Sequence, residues 1–587
     1  MKDFLKMTLA VIVGLLIVTV ISTFIFFGFI SALSAGAESK PSLPKSGILV
    51  MDMSKTTITE QASETDIPMF AQGPATKTVS LWSAIQGINA AAEDNTVKYI
   101  FLKTDGSMTG AATSEELRKA LSNFRSSGKP VVSYIESPTV GTYYLASVAD
   151  KVYMTRHPGA NIMMNGVSGQ MIFLKDALDR LGVNVQLIRH GKYKSAGEMF
   201  VRSESSPENF QQNKEMVESI WGVFSSGICG SRGITPERLD ECIDNLELCL
   251  PEDFVKAGLV DSLLDRNGLE QKLADLFVVK KFKDVKMIDF QEYVKAKAVP
   301  NFRAKEKIAV IYADGDIIDG EQKKNVAGDR FAKVISEVRA DSTVKAVVLR
   351  VNSPGGSVLA SEKIKAELDL LKEDKPLIAS YGGYAASGGY WISNNCNKIF
   401  TDANTLTGSI GVFGMIPDFS GTAKNILHVN VTNVNSHRHS DMMTGMRPLD
   451  KQEYNYIFRQ IEDIYDRFTD IVSQGRGLEK SYVDEIGQGR VWTGVQALAN
   501  NLVDEIGTLE DAVNYAAICA GGDDSKSFNV VAYPKPLTAM ESIMEMLGGS
   551  QSVSAAPLGG IRTWYEKFST GRSDIFFARM PYELAVR

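Results

Sequence analysis

The second half of this 587-residue chain repeats the first. Thr96-Val-Lys-Tyr-Ile-Phe-Leu-Lys103 returns as Thr343-Val-Lys-Ala-Val-Val-Leu-Arg350, Lys129-Pro130 as Lys375-Pro376, and Gly258-Leu-Val-Asp261 as Asn501-Leu-Val-Asp504. The offset is 247 residues at the first pair (343 − 96) and drifts by a few positions towards the ends. A period this long describes fused domains, because the stacked units of a solenoid are only a few tens of residues. On this register Ser387 falls opposite Val140, and Lys194 falls opposite Ser440 or Asp441. Neither half holds both residues, so chemistry that needs this serine and this lysine needs both halves.

Each copy opens with a short apolar run, Gly47–Met51 and Ile308–Tyr312, that reads as a buried strand. Second strands are expected at Tyr99–Leu102 and Ala346–Val351, and third strands begin at Pro130 and Pro376. Helical periodicity lies between them, over Glu115–Phe124 and Ser361–Leu371, with longer polar–apolar helices at Pro207–Ser225 and Lys451–Gln474. Strands alternating with helices imply parallel pairing through crossovers, hence an α/β fold in tandem. The predicted layout is an anchor and linker over 1–40, a first domain over 45–300, a second over 305–535 and a tail over 536–587. Val279–Ala304, charged and interrupted by Pro300, reads as the connector. The Pro/Met/Gly/Ser-rich stretch to Leu558 reads as mobile, followed by a short aromatic tail.

From Met7 to Ala37 no side chain is charged, and residues 7–30 are apolar enough to enter a lipid bilayer. About 20 such residues cross a hydrocarbon core as a helix. Lys2 and Lys6 precede the run, so the positive-inside rule keeps the N-terminus in the cytoplasm and exports the rest. A cleaved signal peptide is the competing reading, since Ser34-Ala-Gly-Ala37 offers small residues, but signal cores span only about 7–15 residues. The expectation is a single-pass protein of a bacterial inner membrane, its domains on the extracytoplasmic side.

A net charge of −7 and a pI near 5.6 leave no basic footprint for nucleic acid. No P-loop or dinucleotide fingerprint occurs, and no cofactor is expected. The five cysteines lack zinc-ribbon spacing; buried thiols are the simpler reading, with a Cys242–Cys249 bridge open to an exported domain. His437-Arg-His439 has no third ligand in a recognisable motif, so no metal is expected.

The chemistry concentrates in the second half. A buried strand runs into Val351-Asn-Ser-Pro-Gly-Gly-Ser357 and then a helix, so backbone N–H groups are free to face an oxyanion without a Cβ in the way. The first half carries Thr104-Asp-Gly-Ser-Met-Thr-Gly110 there and has lost Pro-Gly-Gly. One strand later, Tyr384-Ala-Ala-Ser-Gly-Gly-Tyr390 suits a tight turn that presents Ser387 at a helix start. An N-cap serine is the bland alternative, and Ser409 in Leu406-Thr-Gly-Ser-Ile-Gly411 is the rival nucleophile. Ser353, Ser357 and Ser393 fit turn or cap roles. No histidine follows Ser387 in a recognisable catalytic context, whereas a buried lysine with a lowered pKa can serve as base. A single lysine is normally a solvated surface charge, and Lys194 is one candidate among many.

Five motifs occur in order: Tyr193-Lys-Ser-Ala196, Asn352-Ser-Pro-Gly-Gly-Ser357, Ala385-Ala-Ser-Gly-Gly-Tyr-Trp391, Leu406-Thr-Gly-Ser-Ile-Gly411 and Val491-Trp-Thr-Gly494. Together they resemble the S49 serine protease family in its long, duplicated bacterial form. The resemblance implies two tandem ClpP/crotonase-like domains, a Ser–Lys dyad and peptide substrates, chiefly signal-peptide remnants in the membrane. It implies Ser387 as nucleophile, Lys194 as general base and Ser409 as a hydroxyl that orients the lysine. Gly355, Gly356 and Gly388 match its oxyanion-binding positions. It also implies a homo-oligomer, expected as a tetramer around a chamber. Two other classes share such a fold: a crotonase-like acyl-CoA enzyme, disfavoured by export, and a non-catalytic membrane scaffold, disfavoured by the intact Ser387, Lys194 and Gly-Gly loop.

Overall fold

The computed structural model of the chain describes residues 43–61, 77–535 and 576–580, apart from Met108 and Lys324, together with Thr8 and residues 13–22. Within them the duplication becomes a repeated strand order. The first sheet runs Ser262–Leu264, Lys151–Thr155, Val131–Ile135, Val97–Lys103, Gly47–Asp52, Met287–Asp289, with every neighbouring pair parallel. The second repeats it with Glu505–Ile506, Lys398–Thr401, Leu377–Ala386, Val344–Ser353, Lys307–Asp314, Asn529–Tyr533. Its central strands, such as Val-Lys-Ala-Val-Val-Leu-Arg-Val-Asn-Ser over Val344–Ser353, are buried almost throughout. Continuous burial is what parallel strands covered on both faces require.

Two expectations change here. Val279–Ala304 is no simple connector, because Met287–Asp289 forms the edge strand beside Gly47–Asp52 and Phe290–Lys297 is a helix. That strand is three residues long and buries only Ile288, so its sequence carried no apolar run to mark it. The tail also contributes structure, since Phe576–Arg579 is a strand. Residues 536–575, including the stretch read as mobile, lie outside the described residues, as does most of the 7–30 anchor. Residues 13–22 are helical with exposed apolar side chains, and no helix among the described residues is long and apolar enough to cross a membrane. Cys242 and Cys249 are both free thiols, without the bridge left open above.

The helices end as their sequences dictate. Lys451–Arg476 starts in a capping box of Asp450 and Glu453 and stops at Gly477 in the left-handed region, φ 64°. Pro207–Arg232 starts at the Ser206 cap with Pro207 in its first turn and stops at Gly233, φ 68°.

A sheet and an ion cluster are among the contacts that join the halves. A third sheet is ordered Val326–Ala327, Ile317–Ile318, Gly355–Ser357, Phe576–Arg579, Phe413–Asp418, Asn184–Arg189. Its last pair is antiparallel over six residues, from Phe413 opposite Arg189 to Asp418 opposite Asn184, and so stitches the first half to the second. The other joint is ionic. Arg350 of the second half, 1% exposed, donates to both carboxylate oxygens of Glu60 at 2.8 and 3.0 Å and to Glu116 at 2.6 Å. Both acids belong to the first half, and Glu116 also accepts the Leu509 amide at 2.7 Å.

Candidate active site

Ser387 stands where the strand Leu377–Ala386 turns into the helix Gly388–Ser393. Its backbone, φ 55° and ψ −112°, lies in a region that side chains rarely adopt, and such strain persists only where the surroundings fix it. The Ser387 amide donates to Gly408 O at 2.8 Å, and Ser387 O accepts from the Trp391 amide at 2.7 Å. The first-half counterpart is the helix Val140–Ala146, whose cap is Thr139, so the structural equivalent of Ser387 is Thr139 and the register shifts by one from Val140. Thr139 has φ −110° and its side chain accepts from the Thr142 amide, an ordinary cap. Ser387 makes no such bond, which leaves its Oγ for another partner.

That partner is Lys194. Its Nζ lies 2.8 Å from Ser387 Oγ, 3.0 Å from Ser409 Oγ and 3.0 Å from the Ser409 carbonyl oxygen. Lys194, Ser387 and Ser409 are each 0% exposed and belong to one chain. The paired strands Asn184–Arg189 and Phe413–Asp418 bring the segment after Arg189 against the loop before Phe413. Burial pushes the Lys194 ammonium well below its ordinary pKa, and no carboxylate opposes that shift.

The lysine stem is gripped by glycines. A Cβ on Gly489, φ 81°, would lie 2.5 Å from Lys194 Cβ, and one on Gly411 would lie 3.2 Å from Lys194 Cδ. The Tyr193 amide donates to Gln488 O at 2.9 Å and the Gly489 amide to Ile410 O at 2.7 Å, which fixes the three segments together. Gln212 spans the halves: its Nε2 donates to Tyr193 O at 3.2 Å and its Oε1 accepts from the Val491 amide at 3.2 Å. Arg189 donates to Lys194 O at 2.7 Å. Sequence reasoning missed Gln212, Arg189 and Gly489; only the nearby Val491-Trp-Thr-Gly494 motif pointed towards this corner.

Ser409 has φ 51° and its amide donates to Arg490 O at 2.7 Å. The other serines are engaged elsewhere. Ser357 caps the helix Val358–Asp374, Ser393 donates to Gly389 O at 2.7 Å, and Ser353 Oγ accepts from the Gly355 amide at 3.2 Å. No histidine is hydrogen-bonded to Ser387 among the described residues. Gly355 and Gly356 form the short strand beside Ser387, and neither tolerates a side chain. A Cβ on Gly355, φ 98°, would strike Ala578 O, and one on Gly356 would strike Ile317 O. A Cβ on Gly388 would approach Ser361 Oγ to 2.9 Å.

His439, Asp450 and Glu453 converge, but a guanidinium already balances the carboxylates. Arg447 donates to both oxygens of Glu453 and to Asp441, each at 2.7 Å, and Arg447 holds the Glu453 carboxyl down at about 2. That cluster is an ion-pair network.

The model of peptidase family S49 matches the chain twice, at residues 123–280 and 369–521. Protease 4 of Haemophilus influenzae is 34% identical over 522 residues, covering 84% of this chain and 83% of that protein. Protease 4 of Salmonella typhi is 36% identical over 486 residues, covering 80% and 76%. A chloroplastic serine protease, SPPA, of Arabidopsis thaliana is 29% identical over 468 residues, covering 78% and 68%.

Proposed function

The chain belongs to peptidase family S49, and from that premise we propose that it is a serine endopeptidase working through a Ser387–Lys194 dyad, with apolar peptides as substrates. The observation that carries this reading is the 2.8 Å contact between a fully buried lysine and Ser387 Oγ, with no acid nearby to keep the lysine charged. A neutral Lys194 amine accepts the Ser387 proton while its own N–H groups donate to the Ser409 hydroxyl and carbonyl, which aim the lone pair at Ser387. Ser387 Oγ bonds to the substrate carbonyl carbon, and the oxyanion is held by the amides of Gly356 and Gly388. Collapse breaks the C–N bond, and the proton on Lys194 passes to the leaving amine. Water then releases the acyl group by the same route in reverse. An acyl-CoA reading gives this serine–lysine pair nothing to do.

The substrate lies extended along Gly355–Ser357, in the place that Phe576–Arg579 takes in the third sheet, so that backbone pairing gives affinity and alternate side chains give selectivity. Cleaved signal peptides have that character. In this reading the two halves are ClpP/crotonase-like domains, residues 7–30 anchor them on the extracytoplasmic side of a bacterial inner membrane, and four copies enclose a chamber. Each copy supplies its own dyad, so assembly serves to exclude folded proteins and is not needed to complete the site.

The test is labelling by a fluorophosphonate, which reacts with activated serines. Wild-type protein labels at Ser387, and Ser387→Ala and Lys194→Ala do not label or cleave an apolar peptide. Labelling that survives in Ser387→Ala and vanishes in Ser409→Ala would move the nucleophile to Ser409.

A further inference from the structure

The groove beside Ser387 already contains a strand, and it comes from the far end of the same chain. Phe576–Arg579 pairs antiparallel with Gly355–Ser357, placing Arg579 opposite Gly355, Ala578 opposite Gly356 and Phe577 opposite Ser357. Its other edge pairs with Phe413–Asp418 through Phe577 opposite Phe413 and Phe576 opposite Gly414. The inserted strand therefore completes the sheet at the edge where the proposed function requires a substrate to pair. Ala578 is fully buried, and its carbonyl oxygen lies 3.1 Å from where a Cβ on Gly388 would stand and closer still to the one on Gly355. That oxygen thus lies against the glycines next to Ser387.

We propose that this C-terminal strand is a tethered, displaceable occupant of the peptide groove that competes with substrate for the Gly355–Ser357 edge. The inference rests on the peptidase reading and adds what sits in its groove. Forty residues, 536–575, join Lys535 to Phe576. At up to about 3.3–3.6 Å each they give ample reach for the strand to leave and return. A strand on the same chain as its groove competes intramolecularly, so even a weak strand competes well with a free peptide.

Side chains on the strand show what the groove accepts. The rings of Phe577 and Phe413 are 5.8 Å apart, Phe576 packs against the apolar cluster that holds Ile188, Val412 and Ile416, and the small Ala578 is the residue whose carbonyl lies against Gly355 and Gly388. Beyond it, Arg579 pairs with Asp316 at 3.1 Å and the Met580 amide donates to Pro354 O at 2.7 Å. These contacts hold the Arg579 nitrogen in place, so that an amine leaving Ala578 could not diffuse away. The occupant therefore persists as an inhibitor while a free peptide with the same apolar, small-residue pattern turns over.

The experiment uses the full chain carrying Phe577→Asp, which places a charge against Phe413. Kinetics with a fluorogenic apolar peptide should show KM lowered about tenfold or more at unchanged kcat, and a synthetic peptide of residues 572–584 should restore the higher KM competitively. In parallel, amide exchange at Gly355–Ser357 is followed in full-length Ser387→Ala, where it should slow in the presence of the native strand and quicken when Phe577→Asp is added. An unchanged KM, or exchange at Gly355–Ser357 that ignores Phe577→Asp, overturns the proposal. So does a collapse of the melting temperature in Phe577→Asp, because the strand would then be a fixed part of the fold. If no variant cleaves peptide yet exchange responds as expected, the peptidase reading fails while the occupancy of the groove stands.

Discussion

Two cations are buried where the halves meet, and they are treated in opposite ways. Lys194 of the first half enters the second with three neutral oxygens around it, and burial drives its pKa down. Arg350 of the second half meets two carboxylates of the first, and although burial acts against its charge, Glu116 and Glu60 raise its pKa well above the ordinary value. One contact withholds a counter-ion and leaves a base that can take a proton at neutral pH. The other supplies counter-ions and leaves a permanent charge that cannot. The interface thus separates chemistry from cohesion, and arginine suits the second task because its planar fork matches carboxylates and stays charged.

The largest expected effect follows from removing the uncompensated cation. Lys194→Met should lower kcat/KM by about 10³-fold or more, because the dyad members act as a unit. The same variant should melt higher than wild type at pH 7. The folded chain holds Lys194 neutral while the unfolded chain protonates it, so the unfolded state binds more protons and wild-type stability rises with pH up to the unfolded lysine value of about 10.4. The gap in melting temperature between Lys194→Met and wild type should therefore shrink as pH approaches that value. A variant that melts lower at pH 7 and keeps its activity would break the contrast at once.

Arg350→Met should do the reverse, costing about 3–5 kcal/mol in denaturant titration because Glu60 and Glu116 are left buried without a counter-ion. Adding Glu60→Gln and Glu116→Gln should recover much of the loss, since the unpaired charges are then gone. If Arg350→Met proves neutral, the ionic joint contributes no cohesion.

The two contacts were not equally legible in the sequence. The repeat exposed the central strands and their parallel pairing but not their order, because buried parallel strands write themselves as apolar runs such as Val344–Ser353. Ser387 and Lys194 were picked out by motif matching, and small residues around Ser387 marked the turn. Glu60, Glu116 and Arg350 were not picked out, because charged residues on an apparent helix face or strand end look solvated until a partner 290 residues away is known. Met287–Asp289 and Phe576–Arg579 were unreadable for a related reason: three- and four-residue strands are defined by what they pair with. Ser387's cap geometry, φ 55° against −110° for Thr139, leaves no trace in residue type.

A middle-sized effect tests how the neutral oxygens aim the lysine. Ser409→Ala removes one acceptor 3.0 Å from Nζ and keeps the Ser409 carbonyl. Its kcat should fall on the order of 10²-fold, less than for Lys194→Met, and KM should hold. In wild type the rate should rise with pH as Lys194 loses its proton, at a point well below free lysine. That limb should move in Ser409→Ala, which a purely structural role for the hydroxyl would not produce.

The smallest effect lies behind the ionic joint. Glu115 sits beside Glu116 and accepts the Ala403 and Asn404 amides at 2.8 and 3.0 Å, yet burial pushes its carboxyl up to about 8. Its folded value is raised above the unfolded one, so the native state keeps a proton that the unfolded chain releases above about 4.5. This group's contribution is fully present below that pH and is lost progressively as pH rises to about 8. Glu115→Gln keeps one oxygen for the two amides and cannot ionise. Its stability should stay within about 1 kcal/mol of wild type at pH 5 and exceed it at pH 8, as read by denaturant titration at both values. A constant difference between the two pH values would mean that Glu115 is ionised in the folded protein.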